Sequence, residues 1–398
     1  MVVNLMKIVC VFAQLTIFVQ LATTYTCQTP DEWLSVSTKD QLWPSGIVKY
    51  KLHQTLSFND ILEVKKAFDE YHTKTCIRFQ PAKDDDQDFV SIELDNDICG
   101  KAHVCKQGGY QYAKFGGECR NMATMVHELA HTLCLGHEHQ RSDRDNYLNF
   151  QNCNEIPLKN SPDSYSSKGI YDYVSQMHYD CNSCFAGRHI CGHTLTPGLS
   201  ALDVDFINAL YNCQGCHRHR WRPAESLTNE EIGNMQHFNQ YATDGTPIFP
   251  CRTVVGTELI TGLYNPSEKS CTASYINLKQ TMRTGVEVLT IPGGFDGQCS
   301  IYKLVDRAEV SLKTAVQVGT SFRYKNWKSF LAYANVTSFR VVTGVAVGKI
   351  WVFDGKNFDN RAELPFDDRG YNSPVSQILS CIVDTDCMIK QLFLERNN

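Results

Sequence analysis

His127-Glu128-Leu129-Ala130-His131-Thr132-Leu133-Cys134-Leu135-Gly136-His137 is the stretch on which the reading of this chain turns. A helix is expected from about Met122 to Leu135. Residues four apart on a helix lie one above the other, so His127 and His131 present two imidazoles on one face. Such a pair can grip one Zn2+ ion, each nitrogen about 2.0–2.1 Å from it. Glu128 projects beside them, where a carboxylate can take a proton from water on the metal. The chain then breaks and turns back, and His137 supplies a third ligand. Three histidines leave a fourth position open for water, as hydrolysis requires. The pentapeptide alone also arises by chance in amphipathic helices; the third histidine narrows the reading.

The spacing of His137 resembles that of the metzincin proteases. Ser175-Gln176-Met177-His178-Tyr179 is similar to the methionine turn beneath the metal in those enzymes. Within that group the sequence resembles the astacin family, whose extended signature is similar to His127 through His137 and on through Glu138, His139, Gln140, Arg141, Ser142, Asp143, Arg144 and Asp145. Leu42-Trp43-Pro44-Ser45-Gly46 resembles the mature N-terminal region, and Thr75-Cys76-Ile77-Arg78-Phe79 the first cysteine segment. Gln107-Gly108-Gly109 resembles the cleft-edge strand, and Leu199 through Asp203, on to Leu210-Tyr211-Asn212-Cys213, the closing helix.

The resemblance implies a secreted zinc endopeptidase with one Zn2+ per chain on His127, His131 and His137. Glu128 is then the general base that delivers its proton to the leaving amine. Tyr179 resembles the tyrosine that donates a hydrogen bond to the tetrahedral oxyanion. Met177 is packing beneath the site, and Glu138 resembles the anchor of the trimmed N-terminus. Cys76–Cys213 and Cys99–Cys119 are the implied disulfides.

Three departures stand out. Cys134 occupies the family's glycine position, where positive φ costs other residues about 1–2 kcal/mol. Seven residues after His127, it is expected on the metal-facing side, as an inert thiol, a disulfide partner (with Cys105 the first candidate) or a zinc ligand. No Phe-x-Gly-Asp latency segment precedes Leu42. After Tyr179 the nearest cation is Arg188, which argues against a preference for acidic residues after the cut; Cys181, Cys184 and Cys191 are expected to staple that loop.

Outward from the motif, 398 residues suffice for two domains with real cores. The chain is 42% hydrophobic and 20% charged, with a formal net charge of -5, which gives no electrostatic case for nucleic acid. Lys7, the apolar run Ile8–Leu21 and the small residues that follow read as a signal peptide over 1–24, a membrane anchor being the alternative. No later segment can cross a bilayer. Export accommodates the 18 cysteines as disulfides, and losing Cys10 leaves an odd number.

The expected fold class is α+β: a metzincin-type, two-lobed protease domain with a zinc helix over 36–213, after a short N-terminal segment at 25–35. A turn and strand are expected at 42–50. A helix capped by Ser57 with Asp60 follows, then strands near 76–79 and 89–94, and a last helix at 202–211. Residues 214–240 read as a polar linker. Its cluster His217, Arg218, His219, Arg220 and Arg222 reads as solvated, with contact to anionic glycans as the alternative.

From 241 to 398, runs such as Arg252-Thr253-Val254-Val255 and Lys349-Ile350-Trp351-Val352 indicate a β-rich domain, with glycan or protein binding as its possible role. Asn335-Val336-Thr337 is a glycosylation sequon. The expected partners are protein or peptide substrates. The rival reading, a catalytically weak binding protein, rests on Cys134 alone.

Overall fold

The computed structural model describes residues 41–148, 169–179, 198–228, 231–232, 235, 247–275, 278–291, 300–312, 314–320, 328–337, 343–352, 358–366, 369–374 and 377–383, with backbone alone over 300–301, 334–376 and 382–383. The expected signal peptide and N-terminal segment, Arg188, the Cys181–Cys184–Cys191 loop and the side chains of the Asn335 sequon lie outside this description.

The first part is an α+β unit on a five-stranded sheet of order β2-β1-β3-β5-β4: β1 (Ile47–Leu52), β2 (Arg78–Pro81), β3 (Phe89–Leu94), β4 (Gly100–Ala102) and β5 (Tyr110–Phe115). All pairings are parallel except that of β4 with β5, which is antiparallel and places β4 at the edge. Alternation sets the inward face: in β5, Gln111, Ala113 and Phe115 are buried.

The edge strand departs from the expectation. Gln107-Gly108-Gly109 is not a strand but a loop, with φ of 80° at Gly108 and 70° at Gly109. The cleft edge belongs to Gly100–Ala102, too short and polar a segment for alternation to reveal.

Helix α1 (Phe58–Lys74) begins at a reciprocal cap. The Ser57 hydroxyl accepts from Asp60 N, and the Asp60 carboxylate accepts from Ser57 N at 2.8 Å. Asp60 also pairs with Arg120 at 2.7 Å. Its buried stripe, Val64, Ala67, Phe68 and Tyr71, packs on the sheet.

Helix α2 (Met122–Thr132) is capped by Asn121 and buried throughout from Met125 to Thr132. It therefore runs through the core rather than over it. Tyr71 Oη donates to Val126 O at 2.7 Å, tying α1 to α2. Helix α3 (Ala201–Leu210) closes the unit, and Phe206 and Ile207 join one apolar core with Met177. The disulfides Cys76–Cys213 and Cys99–Cys119 are both formed.

The second part is a 13-stranded sheet. It runs from Ser300–Asp306 through Gln377–Val383 and Lys328–Thr337 to Phe249–Val255, Glu287–Thr290 and Arg220–Pro223, with Gln317–Thr320 paired on Lys328–Thr337. Every pairing in it is antiparallel among the described residues.

The expectation of a solvated connector fails over the described residues 214–228. Arg220–Pro223 pairs with Glu287–Thr290, Trp221 is 2% exposed, and Arg218 and Arg220 are 1% exposed. Hydrophilic spelling concealed a strand because the sheet that covers it lies far along the chain. Disulfides Cys216–Cys381 and Cys251–Cys271 pin this part.

Candidate active site

Helix α2 and the turn after it bring three ring nitrogens together. His127 Nε2 and His131 Nε2 each lie 3.2 Å from His137 Nε2, and the three ligand atoms fall within 4.8 Å of one another. Each Nδ1 faces an oxygen: Gln176 O at 2.7 Å from His127, Leu135 O at 2.8 Å from His131, and Gln140 Oε1 at 2.7 Å from His137. An oxygen acceptor at Nδ1 fixes the proton there and leaves each Nε2 lone pair aimed at the common centre.

Two nitrogens bound tetrahedrally at about 2.0–2.1 Å stand about 3.3–3.4 Å apart. The observed spacing fits a zinc ion. Burial, reinforced by His137, pushes His131 down to about 4, which keeps it neutral, as a ligand must be.

Glu128 supplies a second sign of fit. It is 5% exposed, and its Oε2 is buried without a hydrogen-bond partner. Burial pushes its carboxyl up to about 8. A carboxylate so placed is costly unless a ligand or substrate completes it.

Space for it comes from β4. A Cβ on Gly100 would lie 2.2 Å from Glu128 Oε1 and 2.8 Å from its carboxyl carbon. Gly100→Ala is therefore expected to push the carboxylate aside, lowering kcat about tenfold or more while zinc content stays at the wild-type level. Unchanged kcat in a zinc-loaded Gly100→Ala protein would show that this contact does not position Glu128.

Met177 is 2% exposed and packed in the core. Its carbonyl accepts from Glu138 N at 3.0 Å, so the turn beneath the site is tied to the residue after His137. Asp203 of α3 holds the same turn: its carboxylate accepts from Ser175 Oγ at 2.6 Å and from Gln176 N at 2.8 Å. Tyr179 is 45% exposed, with its ring 4.6 Å from that of His137.

Glu138 is buried and accepts from Arg141 Nη1 and from Asp172 N, both at 2.8 Å. Arg141 is held in turn by Asp143 and by the carbonyls of Gly169 and Ile170. The trimmed N-terminus expected at Glu138 would come from residues outside the description.

Cys134 does not face the metal. Helix α2 has ended by Thr132, and Cys134 adopts φ of 77° and bonds to Cys105, itself at φ of 63°. Both backbone N–H groups donate to His131 O, at 2.9 and 2.8 Å. The left-handed turn that glycine would supply is thus kept, and a thiolate zinc ligand is excluded.

A crosslink across a separation of 29 residues is worth about 3–4 kcal/mol by loop closure. Glycine would recover about 1–2 kcal/mol of the turn's cost. Cys134→Gly should lose about 2 kcal/mol in urea unfolding, and Cys134→Ala about 1–2 kcal/mol more. Equal midpoints for the two variants would mean that the turn costs nothing.

Sequence reading missed the seam between the two parts. Arg252 donates through Nε to Glu287 Oε2 at 2.8 Å and through Nη1 to Asp205 of α3 at 2.6 Å, and it lies 4.6 Å from the Trp221 ring. Glu287 Oε1 also accepts from Ile170 N at 3.4 Å, beside the carbonyl that Arg141 uses. A charged residue in a β-rich run is the only trace such a network leaves in a sequence.

A family profile described as astacin, a family of peptidases, matches residues 35–212. Zinc metalloproteinase nas-14 of Caenorhabditis elegans is 36% identical over 197 residues, 45% of this chain and 39% of that protein. Zinc metalloproteinase nas-6 of the same organism is 33% identical over 215 residues, 50% of this chain and 60% of that protein. Embryonic protein UVS.2 of Xenopus laevis is 34% identical over 197 residues, 44% and 37% of the two chains. The chain thus spans less than two thirds of the length of these curated relatives. Among solved structures, high choriolytic enzyme 1, a hatching enzyme zinc-protease from Oryzias latipes, matches at 27% identity and a TM-score of 0.36, covering 46% of this chain and 94% of that one.

Proposed function

Because residues 35–212 are a domain of the astacin family, we propose that this protein is a secreted zinc endopeptidase acting on protein or peptide substrates. The observation that carries the proposal is the convergence of three imidazole Nε2 atoms, each with its Nδ1 already held, beside a buried carboxylate oxygen without a partner. We assign the metal to His127, His131 and His137, one ion per chain. When bound, zinc acts as a Lewis acid and brings water within reach of deprotonation near neutral pH.

Glu128 then takes the proton of the attacking water and passes it to the leaving nitrogen. Tyr179, half-exposed at the rim, donates from its hydroxyl to the oxygen that becomes negative during attack. Met177 and Asp203 hold the turn that keeps the His127 ring in place, through Gln176 O.

We place the protease unit at about 36–213 and a β-rich accessory unit after it, which takes in the strand Arg220–Pro223 together with 241–398. The disulfides of the described residues suit an oxidising compartment and support export. No described helix is long and apolar enough to cross a membrane. The proposal is tested by cleavage of an internally quenched peptide by the full chain beside its Glu128→Ala variant.

A further inference from the structure

The backbone of Tyr179 is gripped from both sides by buried histidines. Tyr179 N donates to His139 Nδ1 at 3.3 Å, and Tyr179 O accepts from His178 Nδ1 at 2.7 Å. The partners settle both tautomers. His178 carries its proton on Nδ1, which faces a carbonyl, and its Nε2 accepts from Tyr171 Oη at 2.8 Å. His139 must keep a lone pair on Nδ1 for the Tyr179 amide, so its proton sits on Nε2.

His139 also meets the tyrosine side chain. Its ring lies 4.3 Å from the Tyr179 ring and 5.0 Å from the His137 ring, and those two rings are 4.6 Å apart. The three rings thus form a closed triangle, with His139 buried at its base and Tyr179 half-exposed. A tyrosine at a solvent-facing rim would otherwise choose freely among its rotamers; these contacts select among them.

His139 is itself held by the chain that follows the third histidine. It lies in the short turn Glu138–Gln140, and Arg144, also buried, donates from Nη1 to its carbonyl at 3.1 Å. The turn after His137 is therefore stitched to the Met177–Tyr179 turn at two points, Glu138 N to Met177 O and Tyr179 N to His139 Nδ1.

We propose that His139 is a positioning residue for the hydrolysis: it places the Tyr179 hydroxyl against the oxygen that becomes negative during attack. It is not one of the three nitrogen ligands, and it acts through Tyr179. The inference rests on the role assigned above to Tyr179.

The test measures kcat, KM and zinc content of the full chain and of His139→Phe, His139→Asn, Tyr179→Phe and the His139→Phe/Tyr179→Phe double variant. Phenylalanine keeps a ring and removes the acceptor; asparagine keeps an acceptor oxygen near the place of Nδ1. Tyr179→Phe should lower kcat about 100- to 1,000-fold. His139→Phe should lower it about tenfold, with KM within about twofold and zinc at the wild-type level, because the donor is misplaced rather than lost. His139→Asn should recover most of that loss. In the Tyr179→Phe background, His139→Phe should cost nothing further, since no hydroxyl remains to be placed. Should His139→Phe fail to fold, His139→Ala takes its place in the same cycle.

The same fold-loss in both backgrounds, an unchanged kcat in His139→Phe, or loss of zinc from the His139 variants overturns the inference and leaves the role of Tyr179 standing. An undiminished kcat in Tyr179→Phe removes that role, and the inference with it.

Discussion

Glu128→Ala is expected to keep its fold and its zinc and to lose about 100- to 10,000-fold in peptide hydrolysis. The two halves of this expectation have separate causes. Retention of metal follows because the ligand atoms come from His127, His131 and His137, each positioned by an oxygen that Glu128 does not provide. Loss of turnover follows because among the described residues no other carboxylate stands in that position. Glu128 is the buried acid next to His127, with one oxygen lacking a partner and Gly100 leaving room for its carboxylate. Glu128→Gln keeps the shape and removes only the basicity, so it should be nearly as inactive. Near-normal kcat in a folded, zinc-loaded variant would remove Glu128 from the reaction.

Arg252→Ala should cost about 3–5 kcal/mol of stability, because it strands Glu287 and Asp205 as buried charges without their cation. Burial raises the Glu287 carboxyl although Arg252 opposes the shift, whereas for Asp205 the opposing charge of Arg252 and the His219 contact outweigh burial and hold it low. Removing the arginine leaves both carboxyls with burial as the dominant influence. Replacing all three residues by neutral side chains of similar volume should recover most of the loss. Urea unfolding of the two variants separates the cases: a shift below about 1 kcal/mol for Arg252→Ala would mean that the seam is wet and the network contributes little.

What was legible in the sequence was local. The Ser57–Asp60 cap, the β3 boundaries and the imidazole pair on α2 all follow from spacings within one or two turns. The third histidine and the turn at Met177, by contrast, were reached through the resemblance to the metzincin proteases. What required tertiary structure was hidden for a physical reason.

Cys134 could be recognised as misplaced for its turn. Its metal-facing expectation assumed that α2 continued through it, and the helix ends before it. Arg218 and Arg220 look solvated in a linear reading, since hydrophilicity does not report which distant strand covers a residue. Gly100 gave no signal, because its importance lies in the carboxylate that occupies the space of its absent side chain. The Arg252–Glu287–Asp205 network joins residues 35 and 47 positions apart across two structural units. No periodicity encodes such a meeting.

The central claim, a hydrolytic zinc held by three histidines, is tested most directly by metal analysis of purified, active, full-length protein together with its cleavage of a quenched peptide. One zinc per chain is expected, with hydrolysis lost on removal by a chelator and restored by stoichiometric zinc. Full hydrolysis by protein that contains no stoichiometric zinc would contradict it.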